Sequence, residues 1–155
     1  MKKQVIIMQG ISGSGKSTKA HEIAEKHSAI GCRVVSADDL FTVNGTYNFD
    51  PTLLGEAHKQ CMRSFLAALQ NPEVGLVIVD NTNTTLVEMA PYYLLSVSLF
   101  CEVSIVQIES TPEVALQKST HGVPSNIITR QHHNIQTFEP PVHWEVHFEV
   151  HPGNT

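Results

Sequence analysis

The octapeptide Gly10-Ile11-Ser12-Gly13-Ser14-Gly15-Lys16-Ser17 constrains this chain more than any other stretch. It follows the apolar run Val5-Ile6-Ile7-Met8 and precedes a helical pattern beginning near Thr18. The motif G-x-x-x-x-G-K-[ST] therefore stands in the strand-loop-helix setting that it requires. Glycines let the backbone take conformations closed to residues with a Cβ, so successive N–H groups converge on one concavity that fits a phosphate chain. The positive end of the following helix adds a favourable field. The expected nucleotide-binding set is Gly10, Ile11, Ser12, Gly13, Ser14, Gly15, Lys16, Ser17 and Thr18. In it, Lys16 reaches the β- and γ-phosphates of ATP, and the Ser17 hydroxyl is placed to ligate Mg²⁺.

Downstream, strand and helix patterns alternate. Val5 to Gln9 reads as a central buried strand, and Thr18 to about Ala29 as a helix with Ala20, Ile23, Ala24 and Ile30 on its core stripe. Arg33-Val34-Val35-Ser36 is a second strand, and the chain leaves it through Ala37-Asp38-Asp39. Carboxylates at such a strand end lie on the edge where open α/β sheets bind ligands. If this strand neighbours the first, Asp38 emerges beside the γ-phosphate. The alternative is that Asp38 and Asp39 only cap a helix or turn.

Asp50-Pro51 starts a helix that runs to about Leu69, with Leu54, Ala57, Cys61, Phe65 and Leu69 on its apolar side. Leu76-Val77-Ile78-Val79-Asp80 is four apolar residues closed by an aspartate, the Walker B pattern. Asp80 is thus the second expected Mg²⁺ residue, acting directly or through water. Thr85 to Glu88 forms a capping box before a helix that Pro91 should kink, and Val103 to Ile108 is another strand. Thr111-Pro112 opens a helix ending near His121-Gly122, and Pro124 opens the last one, which carries Arg130. From Val142 to His151 apolar residues alternate with polar ones, the mark of a half-buried strand with its histidines in solvent.

This alternation implies a mostly parallel, doubly wound sheet with helices on both faces. The expected architecture is the three-layer α/β P-loop NTPase/kinase fold with a short lid, as one domain over residues 1–155. A net charge of −5 is the wrong sign for coating long duplexes, so a polyanionic substrate must be gripped locally. No apolar stretch approaches the ~20 residues that span a bilayer, and the reading is of a cytoplasmic protein without a membrane partner. Cys32, Cys61 and Cys101 are odd in number and lie in apolar or helical pattern, which points to buried free thiols.

Gly10 to Ser17, Ser36-Ala37-Asp38-Asp39, Asp80-Asn81-Thr82-Asn83-Thr84 and His121-Gly122-Val123-Pro124 together resemble the polynucleotide-kinase-like P-loop family. That family includes the kinase domain of T-even phage polynucleotide kinase. The chain looks still more like the kinase-like domains of certain ubiquitin-ligase-binding proteins of animals, which Tyr47-Asn48-Phe49-Asp50-Pro51 and Ala57-His58 with Cys61 also resemble. The similarity spans roughly residues 4 to 135.

The resemblance implies ATP- and Mg²⁺-dependent transfer of the γ-phosphate to a 5′-hydroxyl of DNA or RNA. It makes Lys16 and Asp38 catalytic, with Asp38 accepting the proton of the attacking hydroxyl, and it makes Lys118 to Pro124 a lid over ATP. Two positions depart from the family pattern. Phe41 stands where the phage enzyme has an acceptor-holding arginine, and Gln117-Lys118-Ser119-Thr120 lacks the usual lid arginine. Such an arginine is worth ~10³–10⁵ in rate, which leaves Lys118 or Arg130 to substitute for it. Two other readings follow from the same departures: a kinase of a nucleoside, modified base or small hydroxyl metabolite, and an ATP-binding regulatory module without transferase activity. The sequence names no protein partner.

Overall fold

A computed structural model describes every residue except Thr120. Thr120 belongs to the expected lid and lies outside the described residues. Strand β1 (Gln4–Gln9) enters the glycine-rich loop, and α1 (Lys16–Lys26) leaves it. Then come β2 (Cys32–Val35), a 3-10 turn over Ala37–Phe41 and a hairpin of β3 (Thr42–Val43) with β4 (Thr46–Tyr47). The chain continues through α2 (Leu54–Gln70), β5 (Leu76–Val79), α3 (Leu86–Ser98) and β6 (Glu102–Glu109). It closes with α4 (Pro112–Lys118), α5 (Ser125–Gln136) and β7 (Val146–Pro152).

Five strands pair in the order β2-β5-β1-β6-β7, all in parallel. Parallel strands covered on both faces must be apolar throughout, and Leu76, Val77, Ile78 and Val79 of β5 are all fully buried. Alternate residues feed separate cores. Val5, Ile7, Val77, Val79 and Ile105 pack with Phe65 of α2 and Met89 of α3, while Met8, Leu76, Ile78 and Val106 pack with Ala20 of α1. Each such side chain contributes roughly 1.5–3 kcal/mol on burial. A third cluster joins Ile11 of the loop to Ala115 of α4 and to Ile128 and Ile135 of α5. The three layers are therefore present. Among the described residues no helix is long and apolar enough to cross a membrane.

Several boundaries differ from the sequence reading. β5 lies between β2 and β1, so the strand before Asp38 is not the neighbour of the loop strand. The reason is the long crossover through α2, which returns the chain to the inner position. Leu54 is exposed, because the first turn after Asp50 is a separate 3-10 segment, and Ala68 joins the buried side instead. α3 runs on through Pro91 to Ser98. α4 stops at Lys118 rather than near His121. Val142 precedes β7 and is fully exposed, and Phe148 and Val150 on this edge strand keep 39% and 48% of their surface. The cysteines are free, with Cys61 and Cys101 buried and Cys32 half-buried.

Candidate functional site

The glycine-rich loop occupies the carboxyl end of β1. Gly13 and Gly15 have φ of 84° and 95°, in the left-handed region that favours glycine. At Gly13 the constraint is also steric, since a Cβ there would stand 2.2 Å from the Ala115 carbonyl oxygen of α4. α1 begins at Lys16, two residues earlier than the periodicity suggests, so Lys16, Ser17 and Thr18 form its first turn. That turn places unpaired N–H groups and the helix dipole at the loop.

The Lys16 Nζ lies 3.7 Å from Asp80 Oδ1, with both side chains largely buried. The contact is too long for a hydrogen bond, and among the described residues Asp80 Oδ1 has no hydrogen-bond partner, nor has the buried Ser14 Oγ. A buried carboxylate oxygen left unbonded is costly unless a ligand completes it. Asp80 at the end of β5 and the exposed Ser17 hydroxyl at the start of α1 are hard oxygen donors of the kind Mg²⁺ takes alongside phosphate oxygens. The loop and these two residues fit a Mg²⁺-bound triphosphate.

The polar rim after β5 ties this region together. The Thr82 carbonyl accepts the Gly10 N–H at 3.1 Å, and the Asn83 amide donates to the Met8 carbonyl at 2.8 Å. Gln9, fully buried, donates to the Asn83 carbonyl at 2.9 Å and accepts from Gln107 at 2.7 Å. Asn81 accepts the Ala37 N–H at 2.9 Å, linking the end of β5 to the turn that carries Asp38.

In that turn the two aspartates have different roles. Ser36 is the N-cap and Asp39 its capping-box partner: Asp39 Oδ2 accepts the Ser36 N–H at 3.2 Å. Burial pushes the Asp39 carboxyl above its ordinary range, the Ser36 N–H opposes this, and the charges of Asp80 and Asp38 add to it. Asp38 takes no part in the box with its side chain. Its side chain is 49% exposed, Oδ1 accepts the Tyr47 hydroxyl at 3.3 Å, and Oδ2 lies 3.5 Å from His121 Nδ1. Tyr47 and His121 are stacked, with centroids 3.9 Å apart and planes 10° apart. Burial, the Asp38 charge and the Asp38 hydrogen bond push the Tyr47 hydroxyl up to about 12, which keeps it a donor at neutral pH.

Phe41 is 3% exposed and packs edge-on to Phe49 at 5.1 Å and Tyr47 at 6.2 Å. The position that holds an acceptor in the phage enzyme is here part of the core beneath Tyr47. Lys118, the last residue of α4, and Arg130, on α5, are exposed and form no ion pair among the described residues. α5 instead meets the loop through Gln131, whose Oε1 accepts the Ser12 N–H at 3.2 Å. Sequence reading missed Tyr47 and Gln131 as site residues. Tyr47 lies in a motif that carries the resemblance but no role could be read from it, and nothing local marks Gln131, since each acts only through tertiary contact.

Residues 5–139 match the family model described as AAA domain. The chain is 33% identical over 138 residues to NEDD4-binding protein 2 of Homo sapiens, a match covering 86% of this chain and 8% of that protein. The chain thus spans a small fraction of that curated relative. Among solved structures, a chain of the Pnkp1/Rnl/Hen1 RNA repair complex superposes with a TM-score of 0.67 at 19% identity, over 87% of this chain and 44% of that one. Kti12 of Chaetomium thermophilum, in complex with ADP-AlF3, superposes with a TM-score of 0.65 at 14% identity, over 96% and 88%. These likenesses are of fold.

Proposed function

Because the chain belongs to the AAA domain family, as a P-loop kinase-like domain, we propose that it transfers the γ-phosphate of ATP to a hydroxyl, with the 5′-hydroxyl of a nucleic acid as acceptor. The observation that carries this reading is the exposed Asp38 carboxylate, held by Tyr47 on one oxygen and faced by His121 on the other. Asp39, by contrast, is committed to the capping box through the Ser36 N–H. Phosphoryl transfer asks mainly for positioning and charge neutralisation. Lys16 and the loop N–H groups bind the phosphates, and Ser17 and Asp80 hold Mg²⁺. That ion supplies neutralisation of charge on the β- and γ-oxygens when bound. Asp38, held by Tyr47 through Oδ1, orients the acceptor hydroxyl with Oδ2 and takes its proton late. Lys118 or Arg130 completes the lid.

A second reading, a small hydroxyl metabolite as acceptor, is favoured by the burial of Phe41 and by the net charge of −5. Incubation with γ-labelled ATP and Mg²⁺ in the presence of 5′-hydroxyl DNA and RNA oligonucleotides, nucleosides and small polyols separates the two. Label on the oligonucleotides is expected. Label confined to small acceptors establishes the second reading, and no transfer with ATP binding intact removes the transferase and leaves a nucleotide-binding module.

A further inference from the structure

The residues after β7 close on the glycine-rich loop at its Gly13 and Ser14 carbonyls. Gly153 N–H donates to the Glu109 carbonyl at 2.8 Å, and its Cα is so close to the loop that a Cβ would stand 2.3 Å from the Ser14 carbonyl oxygen. Asn154 then bonds the loop twice: its backbone N–H donates to the Ser14 carbonyl at 2.8 Å, and its side-chain Nδ2 donates to the Gly13 carbonyl at 3.0 Å. The Ser110 hydroxyl donates to the Asn154 carbonyl at 3.3 Å and fixes the residue from behind.

Peptide planarity turns these contacts into a statement about the cradle. In a trans peptide the carbonyl and the following N–H point opposite ways. Holding the Gly13 and Ser14 carbonyls outward turns the Ser14 and Gly15 N–H groups inward. The Ser14 N–H is taken by the Ile11 carbonyl at 3.1 Å, and the Ser12 N–H by Gln131. The Gly15 N–H makes no backbone hydrogen bond among the described residues, and it is the group that Asn154 aims.

We propose that Asn154 is a positioning residue of the phosphate cradle, setting the Gly13-Ser14-Gly15 peptides so that the Gly15 N–H meets the bound anion. This rests on the reading that the loop binds nucleotide. It is independent of the acceptor and of whether turnover occurs.

The test is ADP affinity by calorimetric titration, with melting temperature measured in the absence of nucleotide. Asn154→Ala removes the side-chain bond and is expected to weaken ADP about fivefold, the size of one net hydrogen bond. Asn154→Asp cannot donate from its carboxylate and sets a negative charge against the loop, so a larger loss is expected. Asn154→Pro also removes the backbone donor and is expected to weaken ADP most, while Thr155→Ala leaves affinity unchanged. A wild-type chain that binds no ADP overturns the nucleotide reading and this proposal with it. Wild-type binding with Asn154→Ala and Asn154→Asp within twofold of it, whether or not their melting temperatures fall, overturns the positioning role.

Discussion

Around Lys16 and Asp80 the side chains keep only 12% and 6% of their surface, and the loop between them is bonded to α5, to the rim after β5 and to the residues after β7. Around Asp38 the carboxylate is half exposed, and its two partners come from a hairpin of two-residue strands and from the segment between α4 and α5. One half of the site is a prebuilt socket with an unsatisfied buried oxygen. The other is an open carboxylate bracketed by a stacked ring pair. A kinase has to bind the same nucleotide every time while admitting and releasing an acceptor, and the contrast matches that division of labour. On the proposed function, acceptors are distinguished on the Tyr47 and His121 side, above the buried Phe41.

The comparison can be broken from the socket side first. Lys16→Ala removes the cation from the phosphate site, and a fall in transfer of ~10²-fold or more is expected together with weaker ATP binding. Intact transfer in that variant would mean that the socket is not where the phosphates lie. Next is Asp80→Asn. ADP with Mg²⁺ at about a hundred times its Kd should stabilise the wild type by roughly 2.7 kcal/mol. In the variant the Mg²⁺-dependent part of the thermal shift is expected to vanish while the shift with ADP alone remains. Loss of both would make Asp80 a structural residue only.

On the open side the effects are smaller. Tyr47→Phe keeps the stack on His121 and deletes the hydrogen bond to Asp38. Turnover is expected to fall about fivefold at unchanged ATP affinity, and a change in affinity instead would couple the two halves in a way the geometry does not. The least effect is spectroscopic. The Tyr47 hydroxyl is raised in the folded chain from 10.0 to about 12, so folding favours its protonated form. Its contribution is present below pH 10 and lost as the pH rises through about 12. Ultraviolet titration should show a late phenolate that is absent from Tyr47→Phe.

Much of the socket could be read from the chain because it is contiguous. The loop motif, the apolar run ending in Asp80, and the caps at Thr85 and Thr111 are local patterns, and Thr85 with Glu88 forms the capping box that its spacing announces. The Asp38 side could not be read the same way. Strand order depends on which crossover packs where, and β5 lies between β2 and β1 with Phe65 and Cys61 of α2 packed against Val35 of β2 in one core. The partners of Asp38 lie 9 and 83 residues downstream. Asn154 carries no local signal at all, because its role depends on where the end of β7 meets the loop.

The claim that Asp38 acts on the acceptor while the socket holds ATP is tested most directly by one paired measurement on Asp38→Asn: ATP affinity and single-turnover γ-phosphate transfer, each against wild type. The account predicts affinity within twofold of wild type and transfer slower by ~10²–10⁴-fold. Transfer at the wild-type rate, or affinity and transfer falling together, would contradict it.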